Sequence, residues 1–147
     1  MKTIDPKVYL TQTDTIVGFV SQNRARLDEI KDRSPGKSYI KALPSLKALK
    51  SHTRVPSAHF NIVRRSSRAT FIFRNGSSYR VIRDKHHRKL IKTLGWAYST
   101  SANRSSRAYD EEWAKTMADV TIEPLQNSAS AVSAIFRLGK KVLKKIR

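Results

Sequence analysis

The run from Thr70 to Ser101 constrains the fold most, because it reads as strand, tight turn, strand, helix and strand with no slack between them. Thr70-Phe71-Ile72-Phe73 and Tyr79-Arg80-Val81-Ile82 flank Asn75-Gly76, a dipeptide that tolerates the positive φ angles of a tight hairpin. Asp84 stands where an N-cap belongs. His87, Leu90, Ile91 and Leu94 then recur at i, i+3, i+4 and i+7, and Gly95 sits at the C-terminal cap. Ala97 to Thr100 reads as a strand that delivers Ser101 at its end. A hairpin, a helix and a returning strand in so short a run call for a sheet with helices against it.

The flanking segments agree. Val8-Tyr9-Leu10 and Ile16 to Val20 read as short strands around a Thr-rich stretch at 11–15. Asn23 can cap a helix through Lys31 whose apolar face is Ala25, Leu27 and Ile30, and Ser34-Pro35-Gly36 breaks it. Ser38 to Leu43 alternates like a strand, and Pro44-Ser45 introduces a short helix carrying Leu46 and Leu49. Asp110 caps a helix with Trp113 and Met117 one turn apart. Val120-Thr121-Ile122 and Ala134-Ile135-Phe136 read as late strands, and Gly139 opens a basic amphipathic helix with Val142, Leu143 and Ile146 on one side. No repeat or linker interrupts the pattern. The expectation is a single domain over 1–147 of α/β (α+β) class, a twisted mixed sheet with flanking helices. At 147 residues and 39% hydrophobic, the chain can bury one modest core.

Charge narrows the partners. Thirty basic against eleven acidic residues give +19, a field that favours phosphate-rich partners and equally fits a solvated basic surface. Ten basic residues and one acid, Asp84, fall between Arg64 and Lys92, and six basic residues with no acid between Arg137 and Arg147. Phe71, Phe73 and Tyr79 are interleaved in the first stretch, but their alternation on strands assigns them to the core. The chain has no cysteine, which excludes disulfides, thiolate nucleophiles and thiolate zinc sites. His52, His59, His86 and His87 lack metal-site spacing, so no metal site is expected. Nucleophile-elbow, phosphate-loop and dinucleotide glycine motifs are also lacking. No apolar run approaches the roughly 18 residues of a membrane helix, and Met1 to Pro6 does not resemble a signal segment. A cytoplasmic protein with no membrane partner is expected.

Three constellations could carry chemistry. Lys31 and Arg33, with Lys37 close behind, leave a helix two residues apart. They suit a phosphate clamp, though spacing alone favours compensation of the helix dipole. Thr100-Ser101-Ala102-Asn103 follows a strand with hydroxyls, an amide and backbone N–H groups fit for phosphate or carboxylate oxygens, or forms an ordinary polar loop. Thr13 and Thr15 flank Asp14 between apolar segments. They either close a turn in which Asp14 accepts backbone N–H groups or line a polar pocket for a small hydroxylated substrate.

In their order along the chain, these segments resemble the YrdC-type threonylcarbamoyl-AMP synthase family. Tyr9-Leu10-Thr11-Gln12-Thr13-Asp14-Thr15-Ile16-Val17-Gly18-Phe19 is similar to that family's Thr-Asp-Thr opening, and Ile30-Lys31-Asp32-Arg33-Ser34-Pro35-Gly36-Lys37 to its Lys-x-Arg segment. Thr70 to Phe73 resembles its Thr-containing strand and Arg80-Val81-Ile82 its Arg-Val-Pro. Ser99-Thr100-Ser101-Ala102-Asn103 resembles its Thr-Ser-Ala-Asn signature, and Ile135 to Gly139 its closing Ile-Leu-Arg-x-Gly. Val17 stands where the family has tyrosine, Ser66-Ser67 where it has Pro-Gly, and Ser38 where proline follows its second lysine.

The resemblance implies a concave basic cavity in which threonine, bicarbonate and ATP give threonylcarbamoyl-AMP and pyrophosphate. A separate threonylcarbamoyl transferase complex is then the downstream acceptor, for modification of tRNA. It implies Lys31, Arg33 and Arg80 as catalytic cations. It implies Lys31, Arg33, Lys37, Arg80, Thr100, Ser101, Asn103 and Arg137 as the nucleotide and phosphate contacts, and Thr13, Thr15 and Thr70 as the threonine contacts. ATP arrives with Mg²⁺ as a substrate complex, and no tightly bound cofactor is implied. The alternative is a non-catalytic double-stranded RNA or tRNA-binding module of the same fold, with tRNA or another RNA as partner. A third reading is a ribosome- or membrane-surface-associated protein using the basic C-terminal helix.

Overall fold

The computed structural model describes residues 3–32, 38–104, 107–125 and 134–146. Nine strands form one mixed sheet: β1 (Tyr9–Gln12), β2 (Val17–Ser21), β3 (Ile40–Leu43), β4 (Ala69–Ile72), β5 (Ser78–Val81), β6 (Ala97–Ser101), β7 (Val120–Thr121), β8 (Ala134–Leu138) and β9 (Leu143–Lys145). The helices are α1 (Arg24–Lys31), α2 (Leu46–His52), α3 (Phe60–Arg65), α4 (Lys85–Leu94) and α5 (Glu111–Met117). The spatial order is β7-β1-β2-β6-β3-β5-β4-β8-β9. The late strand β6 is thereby inserted between β2 and β3, antiparallel to both. That insertion carries Ser101 back beside the Thr13–Ile16 turn, far from it in sequence.

Local chemistry sets the boundaries. Asn23, Ser45, Asp84 and Asp110 each accept a hydrogen bond from the backbone N–H three residues on, which caps α1, α2, α4 and α5. Each such cap contributes about 1 kcal/mol. Gly76 (φ 86°) turns the β4–β5 hairpin and Gly95 (φ 89°) ends α4, as the sequence predicts.

Side chains alternate across the strands, so the register sorts the core onto two faces. On one face, Val17, Phe19 and Leu10 pack with Leu27 and Ile30 of α1 and Ala114 of α5. The same face carries Leu43, Phe71, Tyr79, Val81 and Leu138 against Leu49 of α2 and Val63 of α3. The opposite face has a smaller cluster, Val20, Ala42, Ile82 and Ala97 under Ile91 of α4. Among the described residues one helix covers that face where four cover the other, and the part they leave uncovered is the floor of a cavity.

The C-terminal segment departs from expectation. The predicted helix after Gly139 is instead a turn and strand β9, antiparallel to β8 with Leu138 opposite Leu143. The Gly139 N–H donates to the Val142 carbonyl at 2.8 Å, and a Cβ on Gly139 would lie 2.9 Å from that oxygen. The glycine closes a hairpin too tight for a side chain. Leu143 joins the core from the strand, while Val142, assigned to the helix's apolar side, is 72% exposed. Residues 57–65, which carry no cap or period in the sequence, form a 3₁₀ turn and α3.

Candidate functional site

A cavity of about 390 Å³ opens over the α4 side of the sheet centre, within the size range of small-ligand sites. The turn Thr13–Ile16 forms one wall. Ser99, Thr100 and Ser101 on β6 form another, Ser38, Tyr39, Ile40 and Ala42 a third, and Arg80, Ile82 and His87 the base. The Thr13 hydroxyl organises its own turn, donating to the Ile16 carbonyl at 2.5 Å and accepting from the N–H groups of Thr15 and Ile16. Gly18 lets the turn lie against β6, since a Cβ there would stand 2.9 Å from both the Thr100 carbonyl and the Thr13 methyl.

Asp14 stands on the cavity wall. Its Oδ2 accepts from Arg80 Nε at 3.1 Å, with both side chains buried. Burial raises the Asp14 carboxyl above its usual range, and the Arg80 guanidinium only partly offsets this. Both sequence readings of Asp14 hold: its carboxyl accepts from its own backbone N–H, and the residue stands on the cavity wall.

Lys31 takes a role that neither the clamp nor the dipole reading describes. It is 2% exposed, and its ammonium donates to the Ser101 carbonyl at 2.9 Å, the Asn103 carbonyl at 2.5 Å and Asn103 Oδ1 at 3.4 Å. The Asn103 amide in turn donates to the carbonyls of Arg104 and Arg107. The lysine thus fixes the loop that forms the cavity rim and sets a positive charge behind Ser101.

His87 is 1% exposed at the base of the cavity. Neither ring nitrogen has a hydrogen-bond partner among the described residues. Burial, reinforced by Arg80 and His86 and opposed by Asp84, lowers its pKa to about 4. The imidazole is neutral near neutral pH, with one N–H to donate and one lone pair to accept.

Of the residues expected to form the site, Thr13, Thr15, Arg80, Thr100 and Ser101 line the cavity, and Lys31 and Asn103 brace its rim. Arg33 and Lys37 lie outside the described residues. Thr70 is buried on β4 and does not line the cavity; the register that pairs Phe71 with Tyr79 sets it opposite Arg80. Arg137 is exposed on β8, opposite Ile72 and Lys144, and does not line the cavity either. Val17, which replaces the family tyrosine, packs into the core with Leu10 and Phe19, and its neighbour Ile16 is the one on the cavity wall. Asp14, Tyr39 and His87 were not singled out as contacts. Asp14 was legible as the centre of Thr-Asp-Thr, and His87 as the one polar residue on the apolar face of its helix. Among the described residues no three His, Cys, Asp or Glu side chains cluster to hold a metal, and no helix is long and apolar enough to cross a membrane.

These features define the class: the chain has the YrdC/Sua5-type fold. It is similar to Sua5 of P. abyssi, determined in complex with L-threonine, with a TM-score of 0.81 and 16% identity over 97% of this chain and 50% of that one. E. coli YciO superposes with a TM-score of 0.74 and 15% identity, covering 97% of this chain and 82% of YciO. Full-length HypF in a phosphate- and nucleotide-bound form superposes at 0.75 and 16%, covering 97% of this chain and 27% of HypF. In sequence, the chain is 36% identical over 103 residues to the uncharacterized MG259 homolog of Mycoplasma pneumoniae, a match spanning 65% of this chain and 20% of that protein. The chain thus spans about a fifth of that relative's length. No family model matches.

Proposed function

We propose that the cavity binds threonine and ATP and that the chain is an L-threonylcarbamoyladenylate synthase. One observation carries the reading: the Thr13-Asp14-Thr15 and Thr100-Ser101 segments, remote in sequence, meet at one cavity whose rim is locked by Lys31. The Sua5 complex supports it, because a protein that shares this fold is found with L-threonine, and HypF, of which the chain matches 27%, is found with phosphate and nucleotide.

In the proposed reaction, the threonine amine and bicarbonate condense to a carbamate with loss of water. A carbamate oxygen then bonds to the α-phosphorus of ATP, the bond from phosphorus to the β-bridging oxygen breaks, and the electron pair leaves with pyrophosphate. Such a transfer needs positioning and positive charge rather than a side-chain nucleophile. Arg80 supplies a guanidinium at the base, and Lys31 holds the Ser101–Asn103 rim at which phosphate oxygens would be received. Arg33, Lys37 and Arg137 are carried over from the resemblance as further phosphate contacts. Thr13 and Thr15 present the threonine wall, with Thr70 behind Arg80. Mg²⁺ enters as part of the ATP substrate, and tRNA is served through the transferase that consumes the product.

The test is pyrophosphate release from ATP by the purified protein, with threonine and bicarbonate omitted in turn. Release only when both are supplied is the expected result. Release indifferent to the amino acid, or no release from protein that binds RNA, would overturn the synthase reading in favour of an RNA-binding module.

A further inference from the structure

A second hollow, of about 540 Å³, shares no residue with the first. It lies where three connections meet: the segment after α2, the β4–β5 turn and the β8–β9 turn. His59 joins two of these, its Nε2 lying 2.9 Å from the Gly139 carbonyl. Arg54, Arg74, Lys140 and Lys141 line it, all exposed, beside the buried ring of Phe73. None of the four cations forms an ion pair among the described residues. A neighbouring hollow shares Thr53, Arg54 and Ser57 and adds Lys50, so the two make one elongated groove.

The surroundings explain why these cations stay unpaired. No Asp or Glu occurs between Asp32 and Asp84, nor after Glu123, and those acid-free stretches supply every strand from β3 to β9 in spatial order. The eleven acids lie in the rest of the sequence, with Asp14 reaching Arg80 on β5, while the acid-free stretches hold eighteen of the thirty Lys and Arg residues. Unpaired like charges converging at one groove repel one another, and a polyanion relieves that repulsion while releasing its counterions. An elongated trough rimmed by long cations suits a chain of phosphates better than a single one.

We propose that this groove binds the phosphodiester backbone of a nucleic-acid strand, independently of the small-ligand cavity. The contacts are to phosphates, so binding is tolerant of sequence and falls with salt.

The experiment compares two quadruple variants of equal charge on the full chain. One carries Arg54→Gln, Arg74→Gln, Lys140→Gln and Lys141→Gln. The other carries Lys7→Gln, Lys85→Gln, Lys89→Gln and Lys92→Gln, all exposed positions away from the groove. Affinity for a short labelled RNA strand is measured across a salt series, with DNA of the same sequence and inorganic polyphosphate of matched phosphate number as further probes. The groove variant should lose at least about tenfold in affinity, and its log–log salt slope should shrink by roughly 3, from about 0.7 per phosphate contact over four contacts. The control should change by less than about twofold, RNA and DNA should behave alike, and a charge-preserving exchange of the four groove residues (Arg to Lys, Lys to Arg) should keep binding. Equal losses in the two glutamine variants would overturn the groove, and groove dependence for polyphosphate alone would overturn the nucleic-acid assignment. Threonine-dependent pyrophosphate release should be unchanged in the groove variant, which separates this test from that of the cavity.

Discussion

Four buried ionisable side chains decide what the cavity tolerates. Lys31→Met would leave the carbonyls of Ser101 and Asn103 without their donor. Orphaned buried acceptors of this kind cost about 1–3 kcal/mol each, so denaturant unfolding should show a loss of at least about 2 kcal/mol together with loss of ATP binding. The Asp14–Arg80 pair behaves differently. Removing one partner strands a charge and should cost about 3–5 kcal/mol, whereas Asp14→Asn with Arg80→Met should cost less than the two single changes summed. Additive losses would show that the pair does not couple. His87 sets a pH dependence with a definite sign. Its pKa falls from 6.5 in the unfolded chain to about 4 in the fold, so between those values the unfolded chain binds more protons. Stability from this residue is complete above 6.5 and is lost as pH falls toward 4, by on the order of 3 kcal/mol. His87→Leu should therefore flatten the decline of unfolding free energy over that window, and an unchanged slope would show that the imidazole is solvated.

At the scale of elements, the glycine in β2 is the most demanding position. Gly18→Ala puts a methyl 2.9 Å from the Thr100 backbone, which cannot yield without parting β2 from β6. Thermal melting should shift down, and hydrogen exchange should rise at both the Thr13 turn and Thr100–Ser101 rather than at one of them. Helices α1, α2, α4 and α5 and the central hairpin were legible because caps and glycines act locally: Asn23, Ser45, Asp84, Asp110, Gly76 and Gly95 all occupy the expected places. The β8–β9 hairpin was not. Leu143 and Ile146 are spaced for a helix, and it is the pairing of Leu143, Lys144 and Lys145 with β8 across the Gly139 turn that selects a strand. For the site, the Thr-Asp-Thr and Ser-x-Asn segments were readable as polar breaks at strand ends. The pairing of Asp14 with Arg80 depends on strand order, which no local pattern encodes. The fate of Val17 followed from strand parity: it faces the core, so Val17→Tyr should overpack the Phe19 cluster instead of sharpening substrate choice, with a lower melting temperature as the readout.

Across the whole molecule, two separate hollows accompany one sheet, a cavity near its centre proposed to take threonine and ATP and a groove rimmed by Arg54, Arg74, Lys140 and Lys141. The cavity combines hydroxyls with the apolar wall of Ile16, Ile40 and Ile82, which suits a ligand carrying both a hydroxyl and a methyl. Serine should bind more weakly than threonine through lost methyl packing, and 2-aminobutyrate more weakly through a hydroxyl partner left unpaired. Competitive binding assays would rank them. The account turns on the claim that threonine and ATP occupy the cavity over α4. Backbone amide resonances recorded on titrating L-threonine and then ATP test that claim most directly. Saturable shifts at Thr13 to Ile16, Ser99 to Ser101 and Arg80, with none at Arg74, Lys140 or Lys141, are the expected result. Shifts confined to the groove residues, or none with either ligand, would contradict it.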